Sequence, residues 1–381
     1  MHDSLNRKIT YLRISITDLC NLRCIYCMPK NGVKLLRHED ILTFEEIERL
    51  VSILAAAGIR KVRLTGGEPL VRRGVTGLVG KLSAVSGIEG LHMTTNGILL
   101  KGMADELKKA GLQSVNISLD TLNKEQFKRL SGGGNLADVI EGIDAAKAAG
   151  LKVRLNCVPV IGYNERDIVS LCEFAAEKGT DLRFIELMPI GEAVAYRGID
   201  TARIMEILSE HFGEGEMLRN DGGPAVYYRF PGMNPGWNGS QGMDPGRSGL
   251  PGMDPEWNES PGMDPGRNES PGMDQRRNES PKLKMSNDCE DGTIVRIGFI
   301  SPLSESFCDR CNRIRLTADG YLKLCLHHSI GVDVRTALRD GSDDECIREL
   351  ITNALNNKPS SHDFTAGVSD PENRRMVQIG G

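Results

Sequence analysis

Six apolar, strand-like runs separated by helical periods constrain this chain more than any other feature. The runs cover residues 11–17, 61–66, 91–96, 114–120, 153–160 and 182–188, and amphipathic stretches at 44–57, 104–110, 136–149 and 167–178 lie between them. Strict alternation makes successive strands parallel and puts the helices outside the sheet. Thr43-Phe-Glu-Glu46 opens the first helix as a capping box, and Gly58, Gly111, Gly150 and Gly179 stand where four helices stop. Six units are too few to close an eight-stranded barrel, so the expected fold is α/β, a partial (βα)6 TIM-type barrel. The barrel is expected over residues 1–213, with an α+β extension at 214–230 and 286–381.

Between those two pieces of the extension the composition changes. Residues 231–280 repeat every ten positions around Pro-Gly-Met-Asp-Pro, with no helical or strand period. A chain this rich in proline and glycine has too little apolar surface to offset the entropy of folding. Residues 231–285 are therefore expected to be a disordered insertion. Loop closure over some fifty extra residues costs only about 1–2 kcal/mol, so the fold on either side should survive it. The segment also carries most of the net charge of −5, which leaves the remainder close to neutral. A nucleic-acid partner held by a global positive field is excluded on that ground. The first residues are polar and no apolar run reaches the length of a membrane span, so no membrane partner and a cytoplasmic location are expected.

Strand ends are where such barrels keep their chemistry. Just beyond the first run lies Cys20-Asn-Leu-Arg-Cys24-Ile-Tyr-Cys27. Three thiolates are one ligand too few for a four-iron cube and would leave one iron open. A structural zinc site is the competing reading, although such sites favour paired cysteines and four ligands. Cys308-Asp-Arg-Cys311 and Cys325 form a second group of three, and His327 and His328 beside it keep a zinc reading open there. The other strand ends carry Gly66-Gly67-Glu68-Pro69, Thr94-Thr95-Asn96, Ser118-Leu-Asp120 and Glu186-Leu-Met188-Pro189. Arg13 and Arg63 lie inside apolar strands, where an unpaired charge is costly, and so read as ligand-binding rather than surface residues.

With these residues in place the chain resembles the GTP 3′,8-cyclase family of radical S-adenosylmethionine enzymes. The resemblance spans residues 9–230 and 291–381. It rests on Tyr11-Leu-Arg-Ile-Ser-Ile-Thr-Asp-Leu-Cys20, Arg63-Leu-Thr-Gly-Gly-Glu-Pro69, Cys308-Asp-Arg-Cys311-Asn-Arg-Ile-Arg-Leu-Thr317 and Met376-Val-Gln-Ile-Gly-Gly381. It implies two [4Fe–4S] clusters, one on Cys20, Cys24 and Cys27 and an auxiliary one on Cys308, Cys311 and Cys325, within the extension. It implies S-adenosylmethionine against Tyr26, Gly67, Ser118 and Met188. GTP would meet Arg13, Arg63, Thr94, Arg154, Arg313, Ile314 and Arg315, with Arg313 and Arg315 also serving catalysis. The implied reaction is abstraction of hydrogen from C3′ of GTP and closure onto C8, giving (8S)-3′,8-cyclo-7,8-dihydro-GTP, the first step of molybdenum cofactor biosynthesis. The implied partners are a reducing electron donor such as flavodoxin or ferredoxin and a downstream cyclic pyranopterin monophosphate synthase, with the enzyme a monomer or homodimer. At one position the chain departs from the family: Arg154-Leu-Asn156 stands where a Lys-x-Asn step is usual, with Lys152 two residues earlier on the same strand face. Two rivals remain at this point, a radical enzyme that modifies a peptide and an iron–sulfur or zinc protein without this chemistry.

Overall fold

The computed structural model describes residues 1–218, 223–233, 295–364 and 374–380. The six expected strands are all present: β1 (Tyr11–Ser15), β2 (Lys61–Thr65), β3 (Gly90–Thr95), β4 (Ser114–Ser118), β5 (Lys152–Cys157) and β6 (Asp181–Ile185). Each pairs in parallel with the next. Between them lie α1 (Phe44–Ala56), α2 (Val75–Ser83), α3 (Ala104–Lys109), α4 (Lys124–Ser131), α5 (Leu136–Ala148) and α6 (Ile168–Glu177). The capping box of α1 forms in both directions, Glu46 N–H to Thr43 Oγ1 at 3.2 Å and Thr43 N–H to Glu46 Oε2 at 2.7 Å. All four expected stop glycines have positive φ.

Helix α7 (Thr201–Phe212) follows, and the extension then adds strands to both flanks of the barrel. These are β7 (Glu216–Met217), β8 (Val226–Arg229), β9 (Ile297–Ile300), β10 (Arg313–Leu316), β11 (Tyr321–Lys323) and β12 (Gly331–Asp333). Strand β9 runs parallel beside β6 and β10 parallel beside β1, so eight parallel strands stand in a row. The expectation of six is corrected in that respect. The runs at 225–230 and 292–300 read in sequence as partner strands, and β8 does pair, antiparallel, with β9. The boundary of the insertion also moves. Pro231–Met233 form a 3-10 turn with Gly232 and Met233 buried, because Gly232 lies against the end of α7, where a Cβ would come within 2.9 Å of Phe212. The remaining repeats lie outside the described residues. The extension ends in α8 (Val334–Arg339), α9 (Asp344–Leu355) and the short α10 (Met376–Ile379).

Alternate residues of the parallel strands divide the molecule. Leu12 and Ile14, Val62 and Leu64, Leu91 and Met93, Val115 and Ile117 are buried in one core under the helices. Their neighbours on the inner face are mostly polar or charged. Residues from β10, β1 to β6 and β8 all line a single cavity, which requires the sheet to curl into a partial barrel. A barrel interior is ordinarily filled by branched apolar side chains; here it is left open and polar. Among the described residues, no helix is long and apolar enough to cross a membrane.

Candidate active site

The loop after β1 carries the first three cysteines, and local contacts hold it in place. Arg23 and Ile25 N–H donate to the carbonyls of Ser131 and Leu130 at the end of α4, at 2.8 and 3.0 Å. Gly67 and Glu68 N–H donate to the carbonyls of Thr17 and Leu19, each at 2.8 Å. A Cβ on Gly67 would stand 2.3 Å from the Leu19 carbonyl oxygen. Close passage of the cysteine loop therefore already demands a glycine there, before any ligand is considered.

Cys20, Cys24 and Cys27 line a common cavity of about 220 Å³, together with Tyr26, Gly67, Ser118 and Met188. Burial, with the charge of Cys20 acting in the same direction, pushes the Cys27 thiol up to about 12, although Val377 N–H pulls it down. Burial and the neighbouring Cys27 and Asp120 raise Cys24 well above a free thiol. Three such groups cannot ionise side by side unless a cationic centre compensates them, so the donor set suits a thiolate-ligated metal cluster. Among the described residues no three His, Cys, Asp or Glu side chains meet tightly enough for a single metal ion; the three thiols surround the cavity instead.

Carboxylates complete this cavity. Glu68 accepts from Thr95 Oγ1 at 2.7 Å, Asn96 N–H at 2.7 Å and Leu70 N–H at 3.0 Å. Burial nevertheless raises it to about 7. Asp120 accepts from the Tyr26 hydroxyl at 2.5 Å and Val158 N–H at 2.9 Å, and burial lifts it to about 6. Glu186 accepts from Leu303 and Ser304 N–H at 2.8 and 3.1 Å. No Arg, Lys or His is among the described residues lining this cavity. It suits a cation.

The second cavity, about 380 Å³, has the opposite character. Arg13, Lys61, Arg63, Arg154, Arg183, Arg313 and Arg315 line it, and no carboxylate does among the described residues. Strand register explains the concentration. Arg315, Arg13, Arg63, His92 and Ser114 are successive partners across β10, β1, β2, β3 and β4, so one row of the inner face carries three adjacent guanidiniums. Asn156, Arg183, Gly298 and Tyr227 form another row across β5, β6, β9 and β8. A Cβ on Gly298 would lie 2.8 Å from the Tyr227 ring and 2.9 Å from Arg183, so that glycine gives both side chains their room.

Two of these cations, Arg63 and Arg183, are held by neutral groups. Arg63 donates to the Tyr11 hydroxyl at 2.6 Å and the Met93 carbonyl at 2.9 Å. Arg183 donates twice to Asn156 Oδ1, at 3.0 and 2.8 Å. Arg154 has a loose contact, 3.5 Å, with Asp181, which Arg296 already binds at 2.6 Å. Burial, with the neighbouring guanidiniums, brings Arg183 and Arg315 down to about 10 and lowers Arg13 well below its usual range. Such a cluster suits a compact polyanion.

Thr94, Asn156, Ile185, Met188 and Met376 line both cavities and form their shared wall. The C-terminal segment packs on that wall. Val377 reaches the cysteine cavity, and the Gly380 carbonyl accepts from Arg315 Nη1 at 2.6 Å. A Cβ at Gly380, whose φ is +73°, would lie 2.4 Å from Thr65 Oγ1.

The second cysteine group sits behind the basic cavity, where its neighbours Phe307, Asn312 and Leu326 are in the wall. Cys311 N–H donates to the Cys308 carbonyl at 3.2 Å, and Arg7 donates to the same carbonyl at 2.8 Å. Burial alone would raise Cys311, but Lys358 and the Arg313 N–H bring it below an ordinary thiol. Cys325 and Cys311 both stabilise the charge of Arg315. His327 and His328 are engaged elsewhere, His327 4.4 Å from the Phe364 ring and His328 Nε2 2.9 Å from the Ser361 carbonyl.

Thus Arg13, Arg63, Thr94, Arg154, Arg313 and Arg315 meet in one cavity. The Ile314 side chain alternates into the core, which leaves that position only its main chain. Lys152 shares the strand face of Arg154 but is exposed at the strand start. Lys61, His92, Arg183 and Tyr227 join the basic cavity, although no local motif marks them. Arg183, a cation between Leu182 and Phe184, carries the same signature that marks Arg13 and Arg63.

A radical SAM superfamily model matches residues 14–175, and a molybdenum cofactor synthesis C model matches residues 268–364. Curated relatives include the GTP 3′,8-cyclases of Pelotomaculum thermopropionicum, 39% identical over 387 residues, and Alkaliphilus metalliredigens, 38% identical over 382, each covering 100% of both chains. Among solved structures, Streptococcus suis SuiB bound to precursor peptide SuiA aligns over 54% of this chain and 47% of its own, at 21% identity and a TM-score of 0.47.

Proposed function

The chain belongs to the GTP 3′,8-cyclase family of radical SAM enzymes, and on that footing we propose that its basic cavity holds the triphosphate of GTP while the adjoining cysteine cavity holds the cofactor that acts on it. The observation that carries this reading is the shared wall between an all-cation cavity and one lined by three thiols and three carboxylates. The reaction is conversion of GTP to (8S)-3′,8-cyclo-7,8-dihydro-GTP, at the start of molybdenum cofactor biosynthesis.

Cys20, Cys24 and Cys27 would hold a [4Fe–4S] cluster, with S-adenosylmethionine beside Tyr26, Gly67, Ser118 and Met188. Together these supply reductive cleavage of a sulfonium and, from it, hydrogen-atom abstraction. Glu68, Asp120 and Glu186 give the cavity the negative character that a sulfonium and an amino group need. The guanidiniums of Arg13, Arg63, Arg154, Arg313 and Arg315 bind phosphate oxygens through charge-assisted, paired hydrogen bonds. Arg183 and Lys61 add to them. Thr94, Asn156 and Met188, in the shared wall, set how closely the ribose approaches the cofactor. The C-terminal segment over that wall excludes water.

Cys308, Cys311 and Cys325 would hold an auxiliary [4Fe–4S] cluster behind the basic cavity, on the side where the guanine base would lie. Arg154 takes the place of the family lysine and keeps its charge. A flavodoxin or ferredoxin would supply electrons, and a cyclic pyranopterin monophosphate synthase would consume the product. Anaerobic reconstitution tests the metal content: about eight irons per chain fit two cubes, and stoichiometric zinc contradicts them. GTP consumption with reductant and S-adenosylmethionine tests the substrate; 5′-deoxyadenosine formed beside unchanged GTP points to another one.

A further inference from the structure

His92 lies in the same inner row as Arg315, Arg13 and Arg63, directly opposite Arg63 across β2 and β3. It lines the basic cavity. Its ring leans over Gly90, where a Cβ would come within 2.8 Å of Nε2, so the glycine leaves the space the imidazole occupies. On the far side its Nδ1 is 2.8 Å from Ser114 Oγ, the next partner in the row. A hydroxyl donates to a neutral imidazole and accepts from a charged one, so this contact serves both protonation states without moving a heavy atom. Among the described residues, Nε2 has no hydrogen-bond partner.

We propose that His92 is a further phosphate-contacting residue, which takes up a proton when the triphosphate enters. This rests on the GTP reading above and deepens it. The groups around the ring decide the sign. From β2 it faces Lys61 and Arg63, and beyond them Arg13 and Tyr11 on β1 and Arg313 and Arg315 on β10. From β4 it meets only the neutral Ser114 and Asn116. Beyond these, β5 supplies Lys152 and Arg154. Two carboxylates near this sheet are already occupied: Asp181 on β6 by Arg296 and Arg154, and the exposed Glu89 by Arg60 at 3.7 Å.

With the cavity free of anion, burial and the charges of Arg63, Arg154 and Lys61 hold the imidazole neutral, down to about 3. A triphosphate reverses the local field, and the histidine becomes one more cation of the row. Arg183 and Arg315, at about 10, are already charged at neutral pH and cannot supply this uptake.

Calorimetry of GTP binding to the anaerobic holoenzyme, near pH 7.5 in buffers of different ionisation enthalpy, counts the protons. Placed among cations, the terminal phosphate of GTP can only lose protons, so net uptake must come from the protein. The wild type should take up at least about half a proton per GTP more than His92→Gln, and its affinity should fall about threefold per pH unit where the variant's does not. Equal proton counts for wild type and variant, with GTP bound by both, would overturn the role of His92 and leave the GTP reading intact. Failure of the wild type to bind GTP would overturn both. If that variant loses its clusters, His92→Asn takes its place in the same comparison, and no uptake by the wild type with GTP sinks the role outright.

Discussion

The two cavities are built on the same strands and share a wall, yet their charges are opposite. The cysteine cavity carries three carboxylates and no cation among its described residues, and the basic cavity carries seven cations and no carboxylate. Height along the strands accounts for the difference. The cysteine cavity is formed where strands end and loops begin, so its residues come from short local motifs. The basic cavity lies deeper, among inner-face rows that assemble one residue from each strand. The pairing teaches that one curled sheet can present an acidic and a basic cavity side by side, with Thr94, Asn156, Ile185, Met188 and Met376 in the wall between them.

The largest effect should come from the loop. On the proposed ligand set, Cys24→Ala would remove one of three ligands from a site that has none to spare, so turnover should fall by more than about 10³-fold, with iron per chain dropping by about half. Retention of full iron would break the assignment of this loop. In the other cavity Arg63→Ala should leave iron content unchanged and weaken GTP by about 10–100-fold, the worth of charge-assisted hydrogen bonds of ~1.5–3 kcal/mol. Equilibrium binding of GTP to the anaerobic protein measures it. An Arg63→Ala protein that binds GTP normally would remove the basic row from substrate binding.

How much of this was legible follows from the same division. The cysteine loop, Gly66-Gly67-Glu68 and the strand ends each sit within a few residues, so spacing alone exposes them. Lys61, His92, Arg183 and Tyr227 come from four separate strands, and only the pairing register of the sheet brings them together. The barrel strands were readable because their apolar alternation is strong. Helix α2 was not, since Gly77 and Gly80 inside it weaken the helical pattern. The outer strands β10 and β9 were hidden for another reason. What was hidden is their placement, since the run at 292–300 reads as a strand but nothing local says that β10 and β9 flank β1 and β6.

Asp120 sharpens the comparison through pH. Burial raises its carboxyl from 3.8 to about 6 in the folded protein. Below the unfolded value both states hold the proton. Between the two values the unfolded chain has lost it and the folded one has not, so stability falls as pH rises through this window. In the metal-free protein this group's share is at most about 3 kcal/mol between pH ~4 and ~7, and Asp120→Asn should flatten it. Urea unfolding across that range checks the slope; an unchanged slope in the variant would deny Asp120 its buried setting. The smallest effect should come from the repeats. Deleting residues 234–285 should change iron content and turnover by less than about twofold, because loop closure depends only logarithmically on length. A collapse of either would give the repeats a part in the enzyme.

The central claim is that a cofactor in one cavity reaches a nucleotide in the other across their common wall. GTP carrying deuterium at C3′ tests it, incubated anaerobically with reductant and S-adenosylmethionine. Deuterium should appear in the 5′-deoxyadenosine as the cyclised nucleotide forms. Unlabelled 5′-deoxyadenosine alongside intact GTP would contradict the account.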